Sequence, residues 1–332
     1  MDGAFLLNGA FSAHWVALDL AYGVLMAFGF TFFYLVCASL ARRGENVARY
    51  ACWCMVCAAF IGVIQAVAVL VKNGDVSMEM GILSTQSRGH IELGWGVSTT
   101  ITGFAVLGIP AAFYLAANHR FAPVSYGLGL FLFGFILFIG SRSALLVGAV
   151  AVGICAIACC FGKNKSLCRR LGLGLFVLAC LGLLACHFFV VSMPQMAQIL
   201  AEKLRLNALA EDSRVTIWKQ GWDAFLNWPV FGAGFDLGAV IPHETVQNVF
   251  GKMYHNLFLQ FLGATGTVGL LAFLFHLWQV GRLWRKSSSP KVLLLTLPLM
   301  ILLTSMVDNF FFYLNQQIAY CMFLAVAERK NL

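Results

Sequence analysis

Charge is what this sequence has least of. Asp, Glu, Lys and Arg make up only 11% of its 332 residues, where a soluble domain carries about 25%. With 61% hydrophobic residues and a mean hydropathy of +0.84, a soluble fold of this chain lacks the polar groups to cover its surface. Soluble enzymes, secreted disulfide scaffolds and disordered chains are excluded. Several chemical signatures are missing too. There is no Walker loop, no dinucleotide fingerprint, no His-x-x-x-His and no Asp-x-Asp in the outer loops. No metal and no cofactor is therefore expected, and any chemistry must use a substrate that arrives already activated. Internal repeats, low-complexity tracts and the basic n-region of a cleavable signal peptide are also absent from the sequence.

What is present is apolar and spaced for a membrane. A spanning helix needs about 20 mostly apolar residues. Nine stretches qualify, at about 14–40, 50–71, 93–117, 122–139, 144–161, 171–191, 255–280, 292–307 and 310–327. The expectation is an all-α, polytopic membrane helix bundle of about nine transmembrane helices, a single integral membrane domain over 1–332. Basic residues gather in alternate loops: Arg42, Arg43 and Arg49; Arg120; Lys163, Lys165, Arg169 and Arg170; Arg282, Arg285, Lys286 and Lys291; Arg329 and Lys330. The positive-inside rule makes that side cytoplasmic. The N-terminus is then outside and the C-terminus inside. The net charge of +8 is thereby read as topological, and no nucleic-acid partner is expected.

The 11 cysteines fit this reading. Ten lie inside apolar spans and Cys168 lies in a basic loop, so an outer disulfide framework is not expected. Cys52-x-Cys54-x-x-Cys57 has metal-ligand spacing but no partner ligands, and reads as small apolar side chains in a helix.

Three segments remain on the outer face: 72–92, the tight turn 140–143, and 192–254, the one long extracytoplasmic loop. An ordered loop of that length usually carries function. Its part Met193 to Leu209 reads as an amphipathic helix on the membrane. After Glu211-Asp212-Ser213, a helix start signal, Arg214, Trp218, Trp222 and Phe225 recur on one helical face. The tryptophans suit the headgroup level, so Arg214 faces lipid phosphate or protein. Asn227 to Gly234 then breaks the helix. In the turn, Arg142 interrupts a long apolar run. It either snorkels to the interface or forms an anion site, with Ser141 or Ser143 capping the next helix. His255 opens the seventh span. A helix N-terminus disfavours a protonated imidazole, so the ring is expected to be able to accept a proton there. A structural hydrogen-bonder is the alternative. Arg88 and His90 in the first outer loop, and His243 and Glu244 in the long one, are secondary candidates for glycan or phosphate contact. Asp19 in the first span needs a partner. His187 and His276 read as hydrogen-bonders at span ends, and Asp308-Asn309 as a simple outer turn.

In order and spacing, Gly140-Ser141-Arg142-Ser143, Ser213-Arg214 with Trp218, Pro229-x-x-Gly232-x-Gly234, and His255-Asn256 with Gly266-x-x-Gly269-Leu270 resemble the O-antigen ligase and polymerase superfamily. The resemblance covers a core of about 130–280. It implies a metal-independent glycosyltransferase of the bacterial inner membrane, with its active site facing outward. The donor would be an undecaprenyl-pyrophosphate-linked glycan. The acceptor would be lipid A–core in a ligase, another repeat unit in a polymerase, or protein in an O-oligosaccharyltransferase. By resemblance His255, Arg214 and Arg142 are the catalytic set, the two arginines neutralising pyrophosphate and His255 acting on the acceptor hydroxyl. Arg88, Trp218 and Asn256 join Arg142 and Arg214 as substrate-binding candidates. Family members often have about twelve spans with both ends inside. The nine counted here depart from that, as though three early spans were missing. Membrane lipids are expected partners as well; a polysaccharide transporter or flippase, and an inactive membrane scaffold, are the other classes. The spans are nearly free of ionisable groups, which argues against a transporter.

Overall fold

A computed structural model describes residues 17–43, 46–74, 76–79, 82–93, 96–118, 121–192, 213–232, 254–308 and 310–328. The expected amphipathic helix at 193–209, the acidic pair Glu211 and Asp212, Gly234, and His243 with Glu244 lie outside the described residues, as does the side chain of Asp19. The elements in chain order are α1 (Ala17–Arg43), α2 (Val47–Asn73), β1 (Met78–Glu79), β2 (Ile82–Leu83), α3 (Thr85–Gly89), β3 (Glu92–Leu93) and β4 (Gly96–Val97). Then follow α4 (Ser98–Asn118), α5 (Ala122–Ile139), α6 (Arg142–Cys159), α7 (Lys165–Ser192), α8 (Ser213–Asn227), α9 (Leu257–Arg285), α10 (Ser289–Thr304), a 3-10 turn (Phe310–Phe312) and α11 (Leu314–Ala327).

The fold is an all-α membrane bundle. Among the described residues six helices are long and apolar enough to cross a membrane: α2, α4, α5, α6, residues Lys165–Leu184 of α7, and α9. The expected first span falls on α1, a helix of 27 residues, and the last two fall on the shorter apolar helices Pro290–Thr304 and Leu314–Ala327. The ten cysteines whose side chains are described are free thiols.

Two compact units make up the chain: Val56–Val215, and Met1–Met55 with Thr216–Leu332. In the Val56–Val215 unit, α4 is the central helix and packs on α5 and α6. Its apolar window is 94% buried, and its inward positions are largely small: Ala105, Ala111, Ala112, Ala116 and Ala117. Small side chains let helix backbones approach closely, which drives packing where lipid removes the hydrophobic contrast. Asn164 satisfies the C-terminal end of α4: its backbone N–H donates to the Ala117 carbonyl (3.1 Å) and its Nδ2 to that of Ala116 (2.9 Å). By contrast α7 is almost entirely exposed, with Leu173, Phe176 and Leu183 bare, a surface suited to lipid.

The other unit joins α1 to α11 and α11 to α10. Its centre is aromatic: the Phe261 and Phe273 rings stack at 4.1 Å, and Phe311 packs against Phe261, Phe273 and Tyr320. His276 donates to or accepts from the Tyr320 hydroxyl at 2.8 Å, the hydrogen-bonding role expected of it.

One feature of this unit was not expected. The α9 helix is broken at Gly266 (φ 61°, ψ −161°), inside its apolar run. A break exposes backbone groups that lipid cannot satisfy. The turn after α8 satisfies them. Thr267 N–H donates to the Pro229 carbonyl (2.9 Å) and Val268 N–H to that of Val230 (3.2 Å), while the Thr267 hydroxyl also reaches Pro229 (2.8 Å). Gly232, at φ 77°, lies so near α9 that an added Cβ would sit 2.3 Å from the Ala264 carbonyl carbon. Only glycine allows both the left-handed backbone and this approach. The Pro229–Gly232 turn and the Gly266 break thus form one backbone clasp.

Candidate functional site

The head of α9 carries the main constellation. Asn256 is its N-cap: the side-chain oxygen accepts from Phe258 N–H and Leu259 N–H, each at 3.1 Å. Asn256 Nδ2 donates to the Met306 carbonyl (3.0 Å), and Leu257 N–H to that of Ser305 (2.8 Å). The end of α10 therefore seats the start of α9. Asn256 was expected to bind substrate, but its side chain is engaged in holding backbone.

His255 precedes the cap. Among the described residues it alone combines a side chain with positive φ, at 50°. That conformation is sparsely populated for non-glycine residues and marks a constrained position. Its Nδ1 lies 3.1 Å from Asp308 Oδ1. The imidazole is 38% exposed and the carboxylate 11%, so the ring is open to a reactant while its partner is shielded. Asp308 corrects the reading of Asp308-Asn309 as a simple turn: the carboxylate faces the histidine from 53 residues away.

The α8 helix lies against this head. It begins at Ser213 and runs as a helix through Trp218 and Trp222, as the spacing predicts. Trp218 Nε1 donates to the His255 carbonyl at 3.4 Å. Tyr254 is buried with Ala224 and packed by Ile217 and Leu259, and its ring faces both Gly221 and Gly263. Together with the clasp, these contacts fix α8 to α9. Arg214 stands one turn before Trp218 on α8, partly buried.

In the Val56–Val215 unit, α5 ends at Gly140 (φ 71°) and α6 begins at Arg142, which is exposed. Ser141 occupies the N-cap position of α6 but its side chain makes no capping bond, contrary to expectation. Instead the first outer loop shapes this turn. Ile82 packs on Gly140, and Arg88 Nη1 donates to the Gly140 carbonyl at 3.0 Å. Ser84 starts α3 by accepting from Ser87 N–H, which places Arg88 in the last turn of that helix. Arg88, expected to touch substrate, is committed here to the turn that presents Arg142. His90 is exposed.

The structure thus brings together His255, Asn256 and Trp218 in one unit, and Arg142 and Arg88 in the other. Among the described residues no three His, Cys, Asp or Glu side chains gather as a metal-ligand set.

A family profile described as O-antigen ligase matches residues 127–274. That segment is similar to the O-antigen ligase family. The matched segment contains Arg142, Arg214, Trp218, His255 and Asn256, and leaves Arg88 and Asp308 outside. No curated protein matches the chain. The family match over 127–274 and the apolar helices support an integral inner-membrane protein of the ligase and polymerase type of glycan transfer, a family that implies a lipid-linked donor and a glycan acceptor.

Proposed function

We propose that the protein moves a glycan from undecaprenyl pyrophosphate to an acceptor hydroxyl on the outer face of the membrane, in the manner of a ligase acting on lipid A–core. The observation that carries this reading is the His255–Asp308 pair at the head of α9. With Nδ1–H donated to the Asp308 carboxylate, Nε2 is the nitrogen left to accept a proton. It takes the acceptor's hydroxyl proton as that oxygen attacks the anomeric carbon. The bond from that carbon to the pyrophosphate oxygen breaks with inversion, and undecaprenyl pyrophosphate leaves with the electron pair. Arg142 and Arg214 neutralise the leaving group, since guanidinium forks match phosphate oxygens. No metal enters this scheme.

The test is transfer by purified protein in proteoliposomes with a lipid-linked donor. Arg142→Ala, Arg214→Ala and His255→Ala are each expected to abolish transfer while the protein stays in the membrane. Wild-type rates in all three defeat the proposal. Activity is expected to survive EDTA, and its loss refutes the metal-free scheme. Deleting the gene separates acceptors: loss of all long chains from lipid A–core supports the ligase, whereas one retained repeat unit indicates a polymerase.

A further inference from the structure

The end of α9 opposite His255 holds an open cleft of about 530 Å3 that the proposed reaction does not use. The first α9 residue to line it, His276, is 21 residues beyond His255 and past the Gly266 break. The cleft lies between α1, α9 and the C-terminal end of α11, with walls formed by Phe30, Val280, Leu283 and Leu324. Arg282 and Lys286 stand at its edge, four residues apart and so on one face of α9. Neither makes an ion pair among the described residues. The acidic group in the cleft, Glu328, already accepts from the Tyr34 hydroxyl. The guanidinium of Arg282 sits over the Trp278 ring, 5.0 Å from its centroid, which restrains it beside the opening. Trp278 is itself exposed, as expected of a tryptophan at headgroup level.

Two cations at headgroup level above an apolar slot match one ligand chemistry. We propose that this cleft is a binding site for an anionic glycerophospholipid, its phosphate held by Arg282 and Lys286 and an acyl chain lying along Phe30, Val280 and Leu324. Basic pockets between spanning helices recognise lipid headgroups in this way. The apolar walls select a lipid over free phosphate, and the paired cations select it over an uncharged lipid. This inference rests on the cleft alone and is independent of the transfer chemistry.

Native mass spectrometry of the full-length protein in mild detergent tests it. The probes are phosphatidylglycerol, diacylglycerol with the same chains, and glycerol phosphate. Phosphatidylglycerol is expected to remain bound, and the other two to be lost. The double variant Arg282→Gln, Lys286→Gln is expected to bind roughly 25-fold more weakly, at about 1 kcal/mol per basic residue. Val280→Trp, which fills the slot but keeps both charges, is expected to lose the lipid as well. Lys163→Gln with Arg169→Gln removes exposed charge elsewhere and is expected to leave binding unchanged, as is His255→Ala. Binding that survives in the Arg282, Lys286 variant overturns the proposal. So does equal retention of diacylglycerol, or an equal loss in the Lys163, Arg169 variant.

Discussion

Gly232→Ala is the sharpest probe of how α8 is fixed to α9. At φ 77° an alanine costs about 1–2 kcal/mol in backbone strain. Its Cβ would also lie 2.3 Å from both the Ala264 carbonyl carbon and the Thr265 nitrogen. Those are backbone atoms of a helix and cannot swing aside, so the clasp has to open. Opening it forfeits the two hydrogen bonds from Thr267 and the one from Val268, at about 1 kcal/mol each. The whole effect is about 4–5 kcal/mol. The same substitution at Gly153, in the exposed face of α6 with nothing within 4 Å, is expected to stabilise by about 0.5–1 kcal/mol. One chemical change thus has opposite signs at two sites. The assay is thermal unfolding of purified protein in detergent, followed by glycan transfer. The midpoint is expected to fall sharply for Gly232→Ala, with transfer falling too, and to hold or rise for Gly153→Ala. Indistinguishable midpoints would show that the clasp contributes nothing.

Three further outcomes follow from the site geometry. Asp308→Asn removes the negative charge facing His255 and sets an amide donor beside it that favours the wrong tautomer, and is expected to cut kcat for transfer by about 10^2 to 10^4 with little change in KM; a purely KM effect contradicts the pairing. Asn256→Ala strips the cap from α9 and the bond to Met306. A loss of about 1–2 kcal/mol in unfolding experiments is expected, and an unchanged midpoint argues against the cap. Arg88→Ala removes a charged hydrogen bond of about 1.5–3 kcal/mol from the Gly140 turn. Transfer at limiting donor is expected to drop about 10-fold or more, with Arg88→Lys recovering part of it; normal rates in Arg88→Ala place the residue outside the machinery.

What could be read in advance was whatever depends on local pattern. Apolar runs located the long helices, and the 4, 4, 3 spacing from Arg214 located α8 and its tryptophan face. The Gly140-Ser141-Arg142 turn was legible because three polar or flexible residues interrupt hydrocarbon-like sequence. Long-range partners were not legible. Nothing in Asp308-Asn309 distinguishes a turn from a carboxylate aimed at an imidazole 53 residues earlier. Pro229-x-x-Gly232 and Gly266 read as two separate glycine motifs, and only the backbone bonds between them reveal a single device. The signal available for the second was a glycine inside an apolar run, which marks a break or a close backbone approach. Arg88 had the right charge and the right loop for a substrate contact, and nothing in its neighbourhood signals that one of its nitrogens donates to the Gly140 carbonyl. Fewer helices than expected meet the length for spanning, because α10 and α11 are 16 and 14 residues long, although their apolar stretches read as spans.

The seating of α9 on the end of α10 has a consequence for the order of events during synthesis. His255 leaves the ribosome before Ser305, Met306 and Asp308, which supply a backbone acceptor each for Leu257 and Asn256 and the carboxylate for the imidazole. A nascent chain that has inserted α9 but not α10 therefore carries an unaligned histidine. The His255–Asp308 pair therefore closes only after α10 has been made, whatever the state of the helices before it.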